Sequence, residues 1–262
     1  MPTLAEFKAH VVHNMMDLEA VIAEVYTAGA KGLSDFAMFD GGAHKGYHSR
    51  RMAALPGCRI VYAVEADPHM AGVLAETLAA RPPGGAEIVQ LAQALQDDPA
   101  CRQIPWRSSS SHVGRSSIVS RNAEHATIWQ DRTEVEYRDE TTVPATTIDR
   151  ILAAEPGPLP FVKLDLEGAD LLALRGAPVA LRRFRPVVAF ENSVHAPQVH
   201  GFTVAETIEY FEGLGYVPMD FVGTPLTEAT WFGLFEAFAA PREKAEWLSA
   251  ALQRATARRL AG

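Results

Sequence analysis

Four carboxylates stand at the ends of short apolar runs: Asp40 after Phe36–Phe39, Glu65 after Arg59–Val64, Asp165 after Phe161–Leu164 and Glu191 after Pro186–Phe190. Apolar runs of this length, bounded by turn residues, read as strands, so the four acids collect on one sheet rim. Carboxylates brought together repel unless cations or hydrogen-bond donors meet them. The pattern therefore asks for a positively charged ligand, a metal ion or a proton-transfer role. Asp40 opens a tight turn, Asp40-Gly41-Gly42-Ala43-His44-Lys45-Gly46, whose glycines permit close backbone approach. Glu65 follows at the end of the second run, about 20 residues on, the spacing at which an acid meets a ribose hydroxyl.

The unit reads as a nucleoside site. A dinucleotide would bring a pyrophosphate to the helix N-terminus, where Asp40 repels it at short range. S-adenosylmethionine carries an adenosine, no phosphate, an ammonium and a sulfonium, and fits Asp40 with Glu65 better; Lys45 is the one residue of the turn that favours a phosphate. In this reading Asp40 and the Gly turn hold the methionine end, Glu65 the ribose, and Gln93-Ala94 the adenine edge, while His44 meets cofactor through its backbone.

The fourth run alternates Lys163, Asp165 and Glu167 with Val162, Leu164 and Leu166, and charge inside a central parallel strand is unusual. Asp165 and the Glu191-Asn192 pair, on adjacent strands, could give oxygen ligands to Mg2+, which needs one or two carboxylates plus water and substrate. Without metal, Asp165, Glu191 or His195 could serve as general base. Both chemistries are open at this point.

The elements that must position these groups alternate. Runs at 36–40, 59–64 and 87–91 are separated by helical stretches near 47–55 and 68–80, a βαβαβ rhythm that implies a parallel sheet covered on both faces. The fourth strand is expected over Phe161–Leu166, a helical stretch interrupted by Gly176 follows, and Pro186–Phe190 is the fifth strand. Val204–Leu214 reads as an amphipathic helix; Tyr216–Val222 and Thr230–Phe238 read as a closing antiparallel pair. Residues 97–142 break the rhythm with a serine-rich segment, Ser108 to Ser120, a helical pattern at Ala123–Trp129 and an alternating run at Glu134–Arg138. They form an insertion, read as a lid beside the ligand site. Three- and four-residue apolar steps from Leu4 to Val25 predict a helical appendage over 1–32, one helix or two, with a face open to a second subunit; 33–240 is the main domain, and 241–262 a C-terminal helix.

Composition narrows the class. The chain has 262 residues, 48% hydrophobic and 21% charged, ordinary for a globular protein. A formal charge of −8 argues against a nucleic-acid or anionic-membrane partner. Two cysteines, Cys58 and Cys101, make neither a zinc motif nor a disulfide framework. The N-terminus lacks the basic and apolar regions of a signal peptide, and no run approaches a membrane span, so a cytoplasmic location is expected.

These residues together resemble the FkbM-type S-adenosylmethionine-dependent methyltransferases. The resemblance rests on Asp40, Gly42-Ala43, Gly46 and Ser49; on Glu65 in Val64-Glu65-Ala66-Asp67-Pro68; on Gln93-Ala94-Leu95; and on Lys163-Leu164-Asp165-Leu166-Glu167-Gly168-Ala169 with Gly176-Ala177, Pro186 and Glu191. It covers about residues 36–238. His44 stands where the family usually has Asn, Lys45 where it has a small or apolar residue, and Ser116-Ser117-Ile118 only approximates a Ser-Ser-Leu segment. The resemblance implies a Rossmann-like class I α/β fold, a mostly parallel seven-stranded sheet with the last strand antiparallel. It also implies methyl transfer to a hydroxyl of a sugar or natural-product-like small molecule, with Mg2+ in some members at Asp165, Glu191 and Asn192. Candidate cofactor contacts are Asp40, Gly41, Gly42, Ala43, His44, Gly46, Glu65, Ala66, Gln93, Ala94, Ser117 and Asp165; candidate catalytic groups are Asp165, Glu191 and His195. Three rivals remain at this level: a nucleotide-dependent oxidoreductase, an N-methyltransferase of an amine or protein side chain, and a methyltransferase-like binding module without turnover.

Overall fold

The computed structural model describes residues 2–80, 85–108, 117–118 (backbone only), 141–192 and 201–261. Seven strands form the main sheet: β1 (Phe36–Gly41), β2 (Cys58–Val64), β3 (Glu87–Leu91), β8 (Phe161–Leu164), β9 (Val187–Glu191), β10 (Tyr216–Met219) and β11 (Glu236–Pro241). Their spatial order is β10-β11-β9-β8-β1-β2-β3. β11 runs antiparallel to both neighbours, and the β9–β8–β1–β2–β3 ladder is parallel. The order reverses between β1 and β8, which places a ligand crevice beyond the carboxyl ends of these strands. This is the Rossmann-like class I methyltransferase architecture.

The strands form where β-branched and aromatic residues run together, and their burial is complete on both faces of β1 and β8. One face is covered by α2 (Met16–Ala30), α3 (Tyr47–Ala53) and α9 (Ala245–Ala261), with α1 (Leu4–Val11) alongside. Phe7, Leu18, Ile22 and Tyr26 pack with Phe36, Met38, Phe161 and Phe238 of the sheet and Leu248 and Leu252 of α9. Each such buried side chain contributes about 1.5–3 kcal/mol. The apolar face that suggested a second subunit is thus used within the chain, leaving Val12, Met15 and Met16 exposed at the α1–α2 turn. The other face carries α5 (Ile148–Ile151), α6 (Asp170–Arg175), α7 (Pro178–Phe184) and α8 (Val204–Gly213), packed on Phe39, Val162, Val188 and Ala239.

Local chemistry sets the boundaries. Thr3 and Thr203 make capping boxes with Glu6 and Glu206 at the starts of α1 and α8. Asp67 caps α4 (Pro68–Ala79) by accepting the His69 and Met70 N–H groups. Two expected strands end differently. β8 stops at Leu164, because Glu167 and Gly168 turn left-handed at φ 52° and 91°. The alternation of Lys163, Asp165 and Glu167 therefore does not continue past the strand. Thr230–Phe235 is turn rather than strand, closed by the Gly233 N–H donating to the Thr230 carbonyl; only Glu236 onward pairs with β9.

Within the expected insertion, β5 (Gln103–Arg107) pairs antiparallel with β7 (Thr141–Thr146) and with β6 (Ser117–Ile118), while β7 pairs parallel with β4 (Ala94–Leu95). A second, four-stranded sheet thus stands against the rim beyond β3. The expected helix at Ala123–Trp129 and strand at Glu134–Arg138 lie outside the described residues, as does most of Ser108–Ser120. Among the described residues, no helix is long and apolar enough to cross a membrane.

Candidate active site

Two cavities open at the carboxyl end of the sheet. The first encloses about 800 Å³, open mouth included, between the β1, β2 and β8 ends and the β3–β4 turn. Gly42, His44, Glu65, Ala66, Gln93, Ala94 and Asp165 line it, joined by Asp67, Met70, Leu95, Trp106 and Glu167. The ends of four strands, β1, β2, β3 and β8, bring seven of the expected cofactor residues to this cavity. Glu65 is fixed at both oxygens: Oε2 accepts the His44 N–H at 2.8 Å and Oε1 accepts the Asp67 N–H at 2.9 Å. Burial raises its carboxyl above the usual range, and the two N–H bonds pull the other way. His44 reaches its position through a left-handed backbone, φ 49°, and its Nε2 is buried without a hydrogen-bond partner among the described residues. Burial, and then the Lys45 charge, lowers the His44 imidazole pKa, so the ring is neutral at pH 7.

Asp40, Gly41, Ala43 and Gly46 do not line this cavity. Asp40 is 1% exposed and points into the sheet edge, where Oδ2 accepts the Ser49 hydroxyl at 2.5 Å and Oδ1 lies 3.9 Å from Lys163 Nζ. Its charge is met by a lysine of β8 rather than left open. Lys163 Nζ also donates to Asp165 Oδ2 at 3.2 Å. Burial opposes the lysine's charge, but the Asp165, Asp40, Glu19 and Glu236 carboxylates outweigh it and hold its pKa above the ordinary value. The glycines serve chain packing. A Cβ on Gly42, φ 74°, would sit 1.9 Å from the Asp165 carbonyl oxygen, and one on Gly46, φ 77°, 2.9 Å from Leu74. Ser117 belongs to β6, and its side chain lies outside the described residues.

The second cavity, a narrow one of about 30 Å³, lies across the Glu167–Gly168 turn, under α8. Phe190, Phe202, Phe211 and Trp231 form its aromatic walls, and Asp170, Glu191 and Asn192 its polar ones. Asp170, at the first position of α6, bridges two segments: Oδ1 accepts the Glu191 N–H at 2.9 Å and Oδ2 the Leu166 N–H at 3.2 Å. Glu191 Oε2 accepts the Gly168 N–H at 2.8 Å. Burial, with Asp165 adding repulsion, lifts Asp170 to about 7; burial and then Asp170, Glu167 and Asp165 push Glu191 well up as well. Glu236, paired with Glu191 in the β9–β11 ladder, is raised by burial and then by the Glu19 and Asp165 charges. Asp170, placed this way, titrates near neutrality and can exchange its proton there. Asp170 was not singled out by sequence, although its place just after Glu167-Gly168-Ala169 marks it. Trp106 was missed too, because only the pairing of β5 with β7 brings it to the first cavity.

The expected metal set is not assembled. Asp165 faces the first cavity and engages Lys163, Glu191 turns to the Gly168 N–H, and the buried Asn192 side-chain amide donates to the Trp231 carbonyl. Among the described residues, no group of three or more His, Cys, Asp or Glu side chains is disposed to hold a metal ion. Engaged in this way, these residues do not fit Mg2+. His195 lies outside the described residues.

The S-adenosylmethionine expectation fares differently: a clamped carboxylate with free lone pairs, a buried unpartnered imidazole nitrogen and a slot of small residues are what a nucleoside requires. Solved structures similar to this chain include methyltransferase FkbM from Methylobacillus flagellatus (15% identity, TM-score 0.47, 78% of this chain), of whose length this chain covers only 43%. Others are precorrin-6y C5,15-methyltransferase from Geobacter metallireducens (13%, TM-score 0.40, 83% of this chain and 85% of that one) and a TehB-like SAM-dependent methyltransferase from Corynebacterium glutamicum (10%, TM-score 0.37, 90% and 100%). No curated protein matches the sequence. The model of the methyltransferase FkbM domain matches residues 40–218, more than half of the chain. The chain belongs to the FkbM methyltransferase family.

Proposed function

We propose that this protein is an S-adenosylmethionine-dependent O-methyltransferase acting on a hydroxyl of a sugar or natural-product-like small molecule, without a metal ion. The observation that carries the reading is the pair of cavities divided by the Glu167–Gly168 turn, one built around a clamped ribose-type acid and the other around proton-holding carboxyls. In this reading 33–240 is the catalytic unit, 97–142 contributes its lid, and the helices of 1–32 and 241–262 cover one face.

Bound S-adenosylmethionine supplies an electrophilic methyl group on a sulfonium. Glu65 accepts the ribose hydroxyls with lone pairs left by its two N–H bonds, and His44 Nε2 and Gln93 offer further polar contacts. Lys163 pairs with Asp165 at the border of the first cavity, on the side of the positive end of the cofactor. The acceptor lies over the turn where the two cavities meet, its hydroxyl in line with the methyl group and the aromatic residues of the second cavity beside the rest of the molecule. Glu191 takes the hydroxyl proton, and Asp170 holds Glu191 and the Leu166 backbone in register. Asp165 is the alternative base on the cofactor side.

The N-methyl alternative has one feature in its favour, since aromatic walls with carboxylates suit an ammonium. The raised proton affinity of Glu191 weighs for a hydroxyl acceptor, because a carboxylate that binds a proton readily suits taking one from it. Calorimetry with S-adenosylmethionine tests the cofactor: saturable binding by the wild type, lost in Glu65→Ala, is expected, and no binding or an unchanged Glu65→Ala refutes it. An acceptor panel of hydroxyl and amine compounds assayed in EDTA tests the rest. Turnover of amines only, or dependence on added Mg2+, overturns the metal-free O-methyl reading.

A further inference from the structure

We infer that Trp106, delivered by the small second sheet, is the wall against which the cofactor's nucleobase packs; the inference rests on the cofactor reading above. Alternate residues of β5 are buried, Ile104 and Trp106 among them, so the strand presents its apolar face to the rim of the main sheet. Trp106 is 7% exposed, yet it lines the first cavity beside Ala66, Gln93 and Ala94. Small residues there leave a flat slot, and an indole closes it.

The ring is indexed by the ribose-type acid. The Trp106 indole N–H donates to Asp67 Oδ2 at 3.4 Å, while the Asp67 N–H donates to Glu65 Oε1 at 2.9 Å. Asp67 Oδ1 is spent on capping α4. One short acidic loop thus fixes both the residue that meets the sugar and the one that meets the base. On its other side Trp106 is seated by the ladder Trp106↔Thr141 and Ile104↔Val143, and β7 is joined to β4 through Ala94↔Ala145. The sheet that carries the indole is therefore hydrogen-bonded to the strand that floors the slot. A planar heterocycle entering between Ala66, Ala94 and the indole gains stacking area, and Gln93 sits at its edge. Base stacking on an aromatic side chain is sequence-tolerant and strong enough to see by substitution.

The test measures S-adenosylhomocysteine binding by calorimetry to wild type, Trp106→Phe and Trp106→Leu, with thermal melts to confirm folding. Trp106→Leu should bind about ten-fold or more weakly and Trp106→Phe should fall between. Because Trp106 also packs on Ile104 and Val143, a second measurement leaves the sequence unaltered. The chain has four tryptophans, so 5-fluorotryptophan labelling gives four 19F resonances, assignable by replacing each of the other three with Phe. Saturating S-adenosylhomocysteine should move the Trp106 resonance most. A ligand that binds wild type without moving that resonance, or that binds Trp106→Leu with wild-type affinity, overturns the inference and leaves the cofactor reading intact. A wild type that binds neither S-adenosylhomocysteine nor S-adenosylmethionine overturns both.

Discussion

The two halves of the rim use the same side chain in opposite ways. On the β1–β2 side, Glu65 is wrapped by the His44 and Asp67 N–H groups and is built to accept hydrogen bonds from something else. On the β8–β9 side, Asp170 and Glu191 lie near each other and Asp165, Glu236 lies near Asp165 and Glu19, and all three carboxyls are raised. All three of Glu65, Asp170 and Glu191 accept main-chain N–H groups and are raised by burial; what sets Asp170 and Glu191 apart is the several carboxylates around them, which make a proton store of that side. Lys163, on the strand between the halves, is the buried cation that lets both exist on one rim.

The strongest way to break this comparison is to disable one half and ask whether the other notices. Glu191→Gln should cut turnover about 10²–10⁴-fold, the range of a lost general base, with S-adenosylmethionine affinity unchanged by calorimetry. Joint loss of binding and turnover would mean the halves are one site. Glu65→Ala makes the reciprocal cut, weakening cofactor binding about 100-fold; a melt without ligand shows whether the fold survives. Gly42→Ala attacks the seam itself, since its Cβ would meet the Asp165 carbonyl and its φ is positive. A loss of about 2–3 kcal/mol in chemical denaturation is expected.

The proton store has a pH signature of its own. Asp170 ordinarily titrates at 3.8 and in the folded chain at about 7. The folded state binds the extra proton between these values, so its stabilising effect is complete below 3.8 and is lost as pH rises to about 7. Glu191 and Glu236 add in the same direction. Melting temperature should therefore climb on acidification from pH 7 toward 5, and Asp170→Asn should flatten the climb. Last and smallest, Arg258→Ala, which opens a surface pair with Glu24 far from the rim, should change stability by under about 1 kcal/mol and less still in high salt.

The sheet was legible because its strands are apolar runs cut by glycines and prolines, and β1, β2, β3 and β9 match their sequence ranges to within a residue or two. The grouping of Glu65 and Gly42 at the first cavity was legible for a related reason: both sit at strand ends, where spacing along the chain is spacing in space. Asp40 shows the limit. Its type and place suggested a ligand contact, but whether it faces outward depended on Ser49 and Lys163, and Lys163 comes from a strand more than a hundred residues away. Trp106 and Asp170 escaped for the same cause, since each owes its position to non-local pairing. Strand alternation misled past Leu164, where a left-handed turn at Glu167 and Gly168 overrides the period of two.

That turn has a consequence for how such a rim can diversify. Two residues of main chain lie between the cavities, held from the second-cavity side by the Glu191 carboxylate on the Gly168 N–H and, just before the turn, by the Asp170 carboxylate on the Leu166 N–H. Their thickness is set by peptide geometry rather than by any side chain. Linings on either side can then be exchanged while the distance between the two occupants stays the same.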